Sequence, residues 1–224
     1  MTMFGRVVEQ SEGTFEVFSP YESICKLDVL EPNWRWAAPL DFGGDYAFKA
    51  SRQPLQSASI VSAEHSGGIE AIVRHDMPRI SIVFVLAGEI DVQDQQTGET
   101  MRISTNDVAG ISDRMGTRLE IKPRSSWLMF QIPEVALRRS FEEMTGAPYK
   151  QKLALPPVSF REGGALGLYQ TLRRAEKDLM SARPATRDML AKAYKELALA
   201  RLLAKLPHNL SEEFGGGISP FLLS

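Results

Sequence analysis

The sequence is poor in the residues that build disulfides and metal sites. It holds a single cysteine, Cys25, and three histidines in 224 residues. One cysteine cannot form an internal disulfide, which favours a reducing, cytoplasmic compartment. Three histidines far apart in the chain supply too few convergent ligands for a tight divalent-metal site. We therefore expect neither a metal nor another cofactor.

Long apolar runs and an excess of one charge are also missing. No stretch approaches the ~20 apolar residues of a membrane span, and the N-terminus shows no continuous apolar segment typical of a secretory signal. Lysine and arginine total 26 and aspartate and glutamate 28, a net charge of −2. Nucleic-acid binding needs a basic excess, so we expect none by this chain alone. A hydrophobic content of 43% fits an ordinary globular protein.

Short strand-type runs fill the chain up to residue 132. Their β-branched and alternating patterns, separated by turns such as Thr97-Gly98, predict a sandwich or small barrel. The runs are 46–49, 58–61, 69–73, 80–86, 89–92, 101–103, 108–111, 118–121 and 127–132.

From Pro133 the apolar period changes to that of helices. Pro133 suits a first helical turn, and Gly146 suits the end of that helix. Two further helices, 164–182 and 186–206, are separated by Arg183-Pro184 and should form an antiparallel hairpin. The predicted fold class is thus α+β: a cupin-like antiparallel β-barrel followed by three helices, the last two a helical hairpin.

The barrel resembles that of cupins, without their metal ligands. Val83 to Ile90 is similar to the first cupin motif, which in metal-binding members carries two close histidines and a glutamate. Here His75 stands alone, Met77 occupies the partner position, and Ser81 lies near the position of the glutamate. The resemblance therefore implies a metal-free barrel.

A second resemblance covers residues 15–214 and is to the AraC/XylS family of transcription regulators. It rests on Trp34-Arg35-Trp36 followed by Leu40, on the entry from Pro133 into a helix, and on Pro207-His208-Asn209 at the close of the last helix. It implies an AraC-binding-like domain that senses a small organic effector and dimerises, and is not an enzyme. We expect His208 and Asn209 to cap the helix end.

The division that this resemblance implies is an effector-binding barrel over 15–132, a helical dimerisation segment over 133–214 and a linker remnant or tail over 215–224. In the family a DNA-binding half with two helix-turn-helix motifs follows. The ten residues after Phe214 are too few for one such motif. Transcription regulation through DNA would then need a C-terminal domain that this sequence lacks.

The expected effector site takes aromatic and basic residues from the barrel strands. Arg79 and Phe84 are separated by an odd number, so only one of them can point inward from a regular strand. Guanidinium groups pair well with carboxylates, which makes a small organic anion a plausible effector. The expected ligand-binding residues are Trp36, Phe48, Arg52, His75, Arg79 and Trp127.

The leucine-rich helices should leave an apolar strip after packing on the barrel, which favours a homodimer. The expected dimerisation residues are Leu172, Leu179, Leu190, Leu197 and Leu203. Two alternatives stay open at this point: a cupin-type enzyme of the isomerase or oxygenase class, and an interaction protein that heterodimerises without any ligand.

Overall fold

A computed structural model describes residues 13–38, 45–161 and 164–211. Leu40 and the expected tail 215–224 lie outside these ranges. In the described part, two antiparallel sheets face each other and four helices flank them. Together the two facing sheets correspond to the predicted cupin-like barrel. No helix among the described residues has the length and apolarity needed to cross a membrane.

The larger sheet has seven strands in the order β1-β3-β4-β11-β6-β9-β12. The smaller sheet has five, in the order β2-β5-β10-β7-β8. The strands of the larger sheet are β1 (Gly13–Val17), β3 (Phe48–Leu55), β4 (Ala58–His65), β6 (Arg79–Ala87), β9 (Asp107–Ser112), β11 (Ser125–Pro133) and β12 (Val158–Ser159). Those of the smaller sheet are β2 (Trp34–Ala37), β5 (Ile69–Val73), β7 (Glu89–Gln93), β8 (Thr100–Ser104) and β10 (Arg118–Ile121).

The helices are α1 (Pro20–Leu30), α2 (Glu134–Thr145), α3 (Gly164–Ser181) and α4 (Pro184–Lys205). The last three confirm the predicted order, and α3 and α4 form the expected antiparallel hairpin. Gly167 at the start of α3 accepts a hydrogen bond from Arg201 near the end of α4, and Asp178 near the end of α3 meets Tyr194 in the middle of α4. Helix α2 ends as expected at Gly146, whose φ of 69° is left-handed.

Side chains of the larger sheet alternate between two hydrophobic cores, because successive residues of a strand point to opposite faces. We call the one between the two sheets the inner core and the one between the larger sheet and the helices the outer core. On β6, Val83 and Val85 enter the inner core, whereas Ile82 and Phe84 enter the outer core. Arg79 shares the inner face, so it and Phe84 lie on opposite faces, as their odd separation requires.

Helix α1 was not predicted from the sequence. Pro20 lies in its first turn, where a proline is tolerated, and Ser23, Leu27 and Leu30 form a buried stripe at helical spacing. Its remaining residues are mostly polar or exposed, so the apolar signal is weak. Leu27 and Leu30 nevertheless belong to the inner core, which places α1 as a cover over one side of it.

After α4, the segment 207–209 ends the helix as expected. Its two polar residues make different hydrogen bonds. The ring Nε2 of His208 lies 2.9 Å from the Leu203 carbonyl in the last turn, so it caps that group. The Asn209 side chain instead bonds the backbone of Lys152 and Ala154, at 2.9 and 2.7 Å. The segment therefore ties the end of α4 to the loop between α2 and α3.

Candidate functional site: the inner core

One end of the inner core holds a buried cluster of charges, which we call the charged end: Glu31, Arg52, Arg79 and Asp113. The Glu31 carboxylate bridges the two guanidiniums, with one oxygen paired to Arg52 and the other 3.0 Å from Arg79. Arg79 also pairs with Asp113, its Nε 2.7 Å from the carboxylate. Two positive and two negative charges thus balance inside the sandwich.

Neighbouring polar groups complete the charged end. Asp113 accepts hydrogen bonds from the Trp34 indole and the Ser81 hydroxyl, both at 3.2 Å. Arg52 donates to the Leu30 carbonyl and to Ser59. Ser59 in turn donates to the Gln131 side chain at 2.9 Å. Hydrogen bonds of this kind are what makes buried charge tolerable.

Burial and charge shift the pKa values of this cluster in different directions. Burial lowers the pKa of Arg52, although the charge of Glu31 partly offsets it. For Arg79, burial is outweighed by the carboxylates of Asp113 and Glu31, and its pKa is raised. Both guanidiniums stay charged at neutral pH, because an arginine pKa starts far above 7.

The other end of the inner core, which we call the aromatic end, consists of Trp36, Phe48, His65 and Trp127. The His65 ring stacks on Phe48, with ring centroids 5.8 Å apart. Trp36 stacks on Trp34, which reaches toward the charged end, with centroids 5.7 Å apart. Arg52 and Phe48 are four residues apart on β3, so the two ends are separated by ~13 Å along the strand.

Four buried polar atoms in the inner core have no hydrogen-bond partner in the described part of the chain. They are Trp36 Nε1, Arg52 Nε, His65 Nε2 and Trp127 Nε1. Their residues are at most 6% exposed. Buried polar side-chain atoms in native proteins are overwhelmingly paired, so four orphans in one core call for an explanation. A ligand that accepts and donates hydrogen bonds there supplies one.

His65 was not among the ligand-binding residues expected from the sequence. Its Nδ1 lies 2.6 Å from the Gly67 carbonyl, which leaves Nε2 facing the core. Burial lowers the pKa of His65, so the ring is neutral at pH 7. The sequence could have indicated that His65 faces the inner core, because it ends strand β4 on the same face as Val61 and Ala63.

The expected ligand residues are therefore partly brought together. Trp36, Phe48, Arg52 and Trp127 share the inner core, and Arg79 lies half-buried at its edge. Arg52 and Arg79 are occupied by carboxylates of the chain itself. His75 is exposed in the connection between β5 and β6, away from the others.

Clefts on the outside of the fold are more polar. One of about 610 Å³ lies between α2, α4 and the β3–β4 turn, lined by residues such as Arg139 and Lys192. Another of about 590 Å³ lies between α3 and the larger sheet, beside the buried Glu176. No group of three or more potential metal ligands converges among the described residues.

The expected dimerisation leucines divide into two groups. Leu172, Leu179 and Leu203 are at most 1% exposed because they fill the outer core, so in this arrangement they offer no surface to a partner. Leu190 is half-buried and Leu197 is 44% exposed. Other exposed apolar residues of the hairpin are Leu166, Met180 and Met189.

Comparison with known proteins supports the fold without a sequence match. No protein-family model matches the chain, and no curated protein is detectably similar to it. The crystal structure of the AraC-like transcriptional activator CuxR is similar at a TM-score of 0.58 and 11% identity, over 94% of this chain and 82% of that one. This chain therefore has the fold of an AraC-like activator, with a cupin-like sandwich and helices.

Partial similarities to shorter proteins accompany this match. An RmlC-like cupin from Desulfovibrio desulfuricans has a TM-score of 0.33 and 16% identity, over 38% of this chain and 82% of that one. KdgF from Halomonas has a TM-score of 0.31 and 16% identity, over 42% and 90% of the two chains.

Proposed function

We propose that this chain is the effector-binding and dimerisation module of an AraC-type transcription regulator. The proposal assigns effector binding to residues 15–132 and dimerisation to 133–214, and it is non-enzymatic. The observation that carries it is the set of orphaned polar atoms in the inner core. Its support from outside the chain is the fold shared with an AraC-like activator.

The effector would bind at the aromatic end of the inner core. The Trp36 and Trp127 indoles are donors only, so they suit a carbonyl, hydroxyl or ether oxygen of the ligand. The neutral His65 ring offers one further polar atom, and Phe48, which stacks on His65, holds that ring in place. A small organic molecule with a flat or apolar body and a few oxygens matches this lining.

Regulation would follow from different affinities for two arrangements of the sandwich and helices. A ligand shifts such an equilibrium only by the difference between its affinities for the two states. The outer core connects the inner-core strands to α3 and α4, because the same strands contribute to both cores. A change in the sandwich would thereby be passed to the helices and to a DNA-binding half joined to them.

A screen of small organic molecules tests the effector role directly. All three tryptophans lie in the inner core, so intrinsic fluorescence reports on that site alone. We expect a hit to raise the melting temperature and change the tryptophan emission with the same dissociation constant. The double variant Trp36→Phe, Trp127→Phe should lose affinity for the hit. A broad screen without any hit at the inner core would contradict the proposal.

Dimerisation would use the exposed face of α4. Met189 and Leu197 are eight residues apart and thus share a face, at 66% and 44% exposure. We expect the chain to be a two-fold dimer at micromolar concentration in light scattering, and Leu197→Glu to make it a folded monomer. Lys26→Glu, at an exposed position of α1 on the other side of the fold, is the control and should remain dimeric. A monomeric unmodified chain would contradict this part of the proposal.

A further inference from the structure

We propose that Arg52 and Arg79 form a seat for the carboxylate of the effector, and that Glu31 occupies this seat as an internal substitute until the effector arrives. This inference rests on the proposed effector role and adds the chemical class of the ligand and the way its binding is regulated. The ligand would be an organic carboxylate whose body extends toward the aromatic end.

The geometry of the seat fits a carboxylate. Arg52 and Arg79 approach different oxygens of the same Glu31 carboxylate, a two-guanidinium arrangement that suits a bidentate anion. Arg52 is 5% exposed, and its Nε has no partner in the described part of the chain. The seat therefore has one donor more than Glu31 uses, and a ligand that satisfied it would hold an advantage over Glu31.

Glu31 is well placed to leave. It follows the last residue of α1, and its backbone N–H bonds the Leu27 carbonyl at the end of that helix. Helix α1 packs on the inner core through Ile24, Leu27 and Leu30, and the buried Ser23 hydroxyl lies 2.7 Å from the Tyr46 hydroxyl. The Glu31 ion pairs add a charged contact at the end of the helix.

Exchange of one carboxylate for another keeps the charge of the cluster balanced. Removal of Glu31 alone would leave Arg52 without a carboxylate partner, which is costly in a buried site. With the ligand carboxylate seated, Arg52 and Arg79 keep their partners and Asp113 keeps Arg79. Only the differential affinity of the two carboxylates decides which is bound. Displacement of Glu31 would loosen the C-terminal end of α1, so the position of that end would report that the seat is occupied.

Chemical rescue tests whether the seat accepts a free carboxylate. The Glu31→Ala variant should lose stability, and acetate should restore its melting temperature more than chloride at equal ionic strength. Acetamide, which has the same shape without the charge, should not. The matched control Glu22→Ala, at an exposed position of the same helix, should show no acetate-specific effect. If Glu31→Ala does not fold alone, folding in acetate but not in acetamide supports the proposal.

The single cysteine provides the second measurement, on the otherwise unmodified chain. Cys25 lies on α1 and is exposed, so a thiol-reactive fluorophore attached there reports the position of the helix. Benzoate should change its emission and benzamide should not. In the Glu31→Gln variant, benzoate should bind about tenfold more tightly or better, since its competitor is weakened by a charge.

The outcomes separate this inference from the proposed function. Neutral compounds that bind the inner core while acetate and benzoate have no effect on any variant would refute the carboxylate seat and leave the effector role standing. A rescue of Glu31→Ala by acetamide as strong as that by acetate would also refute it. Failure of every compound, charged or neutral, would refute the effector role itself.

Discussion

The two cores of this protein share the strands of the larger sheet but differ in what they bury. The outer core packs aliphatic and aromatic side chains such as Phe130, Leu168 and Leu202, with a few buried polar residues such as Glu176 beside it. The inner core contains comparable apolar groups together with four charged residues joined in one network, and four polar atoms without a partner among the described residues. Under the proposed function, this polar content would serve recognition, since apolar packing alone is enough for stability.

Under the proposed function, effector binding and the packing of the helices would lie on opposite faces of one sheet. A change of packing in the outer core should alter stability without altering ligand specificity. A change in the inner core should alter recognition, with an effect on stability that depends on which polar partner is left exposed or alone. Variants in each of the two cores test this difference.

The largest loss of stability should come from the charged end. Asp113→Ala leaves Arg79, the Trp34 indole and the Ser81 hydroxyl short of an acceptor, and we expect a loss of ~3–5 kcal/mol in the free energy of unfolding. Denaturant titration measures it. The control Asp91→Ala breaks an exposed pair with Arg102 and should cost less than ~1 kcal/mol. Equal losses for the two variants would contradict the buried network.

Shortening a side chain in the outer core should leave a cavity and lower the free energy of unfolding, without changing which ligands bind. Leu172→Ala should lower the free energy of unfolding by ~2–5 kcal/mol, because Leu172 is fully buried there. Leu197→Ala, at an exposed position, should cost less than ~1 kcal/mol. Both variants should keep the order of affinities that the unmodified chain shows for a series of related ligands, because neither residue lies in the inner core. A changed order of affinities for Leu172→Ala would break the division between the cores.

A smaller effect should appear as pH dependence. Burial lowers the pKa of both His65 and His208, so below pH ~6.5 the unfolded chain binds more protons than the folded one. The free energy of unfolding should therefore fall as pH drops from 7 to 5, by at most ~1.4 kcal/mol per pH unit for each group. His65→Gln should reduce this slope, and His75→Gln should not. Identical slopes would contradict the burial of His65.

The sequence predicted the elements with strong periodic patterns. Nine strand runs and the three C-terminal helices follow from alternation and helical spacing, and each overlaps an observed element. Strands β3 and β4 end six and four residues later than predicted. The four elements that were missed, β1, α1, β2 and β12, are short or weakly apolar. Their places depend on pairing with distant strands, such as β1 with β3 and β12 with β9.

The candidate site was predictable in kind but not in detail. Trp36, Arg52 and Trp127 were expected from residue type, and the structure places all three in the inner core. That Glu31 and Asp113 hold the arginines could not be read from the sequence. Those pairs join residues 21 to 48 positions apart, and the pairs of Glu31 depend on the unpredicted α1.

The most direct test of the inner core as the effector site is the indole N–H spectrum of the chain labelled with ¹⁵N-tryptophan. The spectrum is recorded with and without the compound selected by the screen. Trp34 already donates to Asp113 at 3.2 Å, so its signal serves as the internal reference. If the compound binds there, we expect the Trp36 and Trp127 indole signals to move downfield, because each N–H gains a hydrogen-bond acceptor. Single Trp→Phe variants assign the signals. A bound compound that leaves both signals unmoved would contradict the inner core as the effector site.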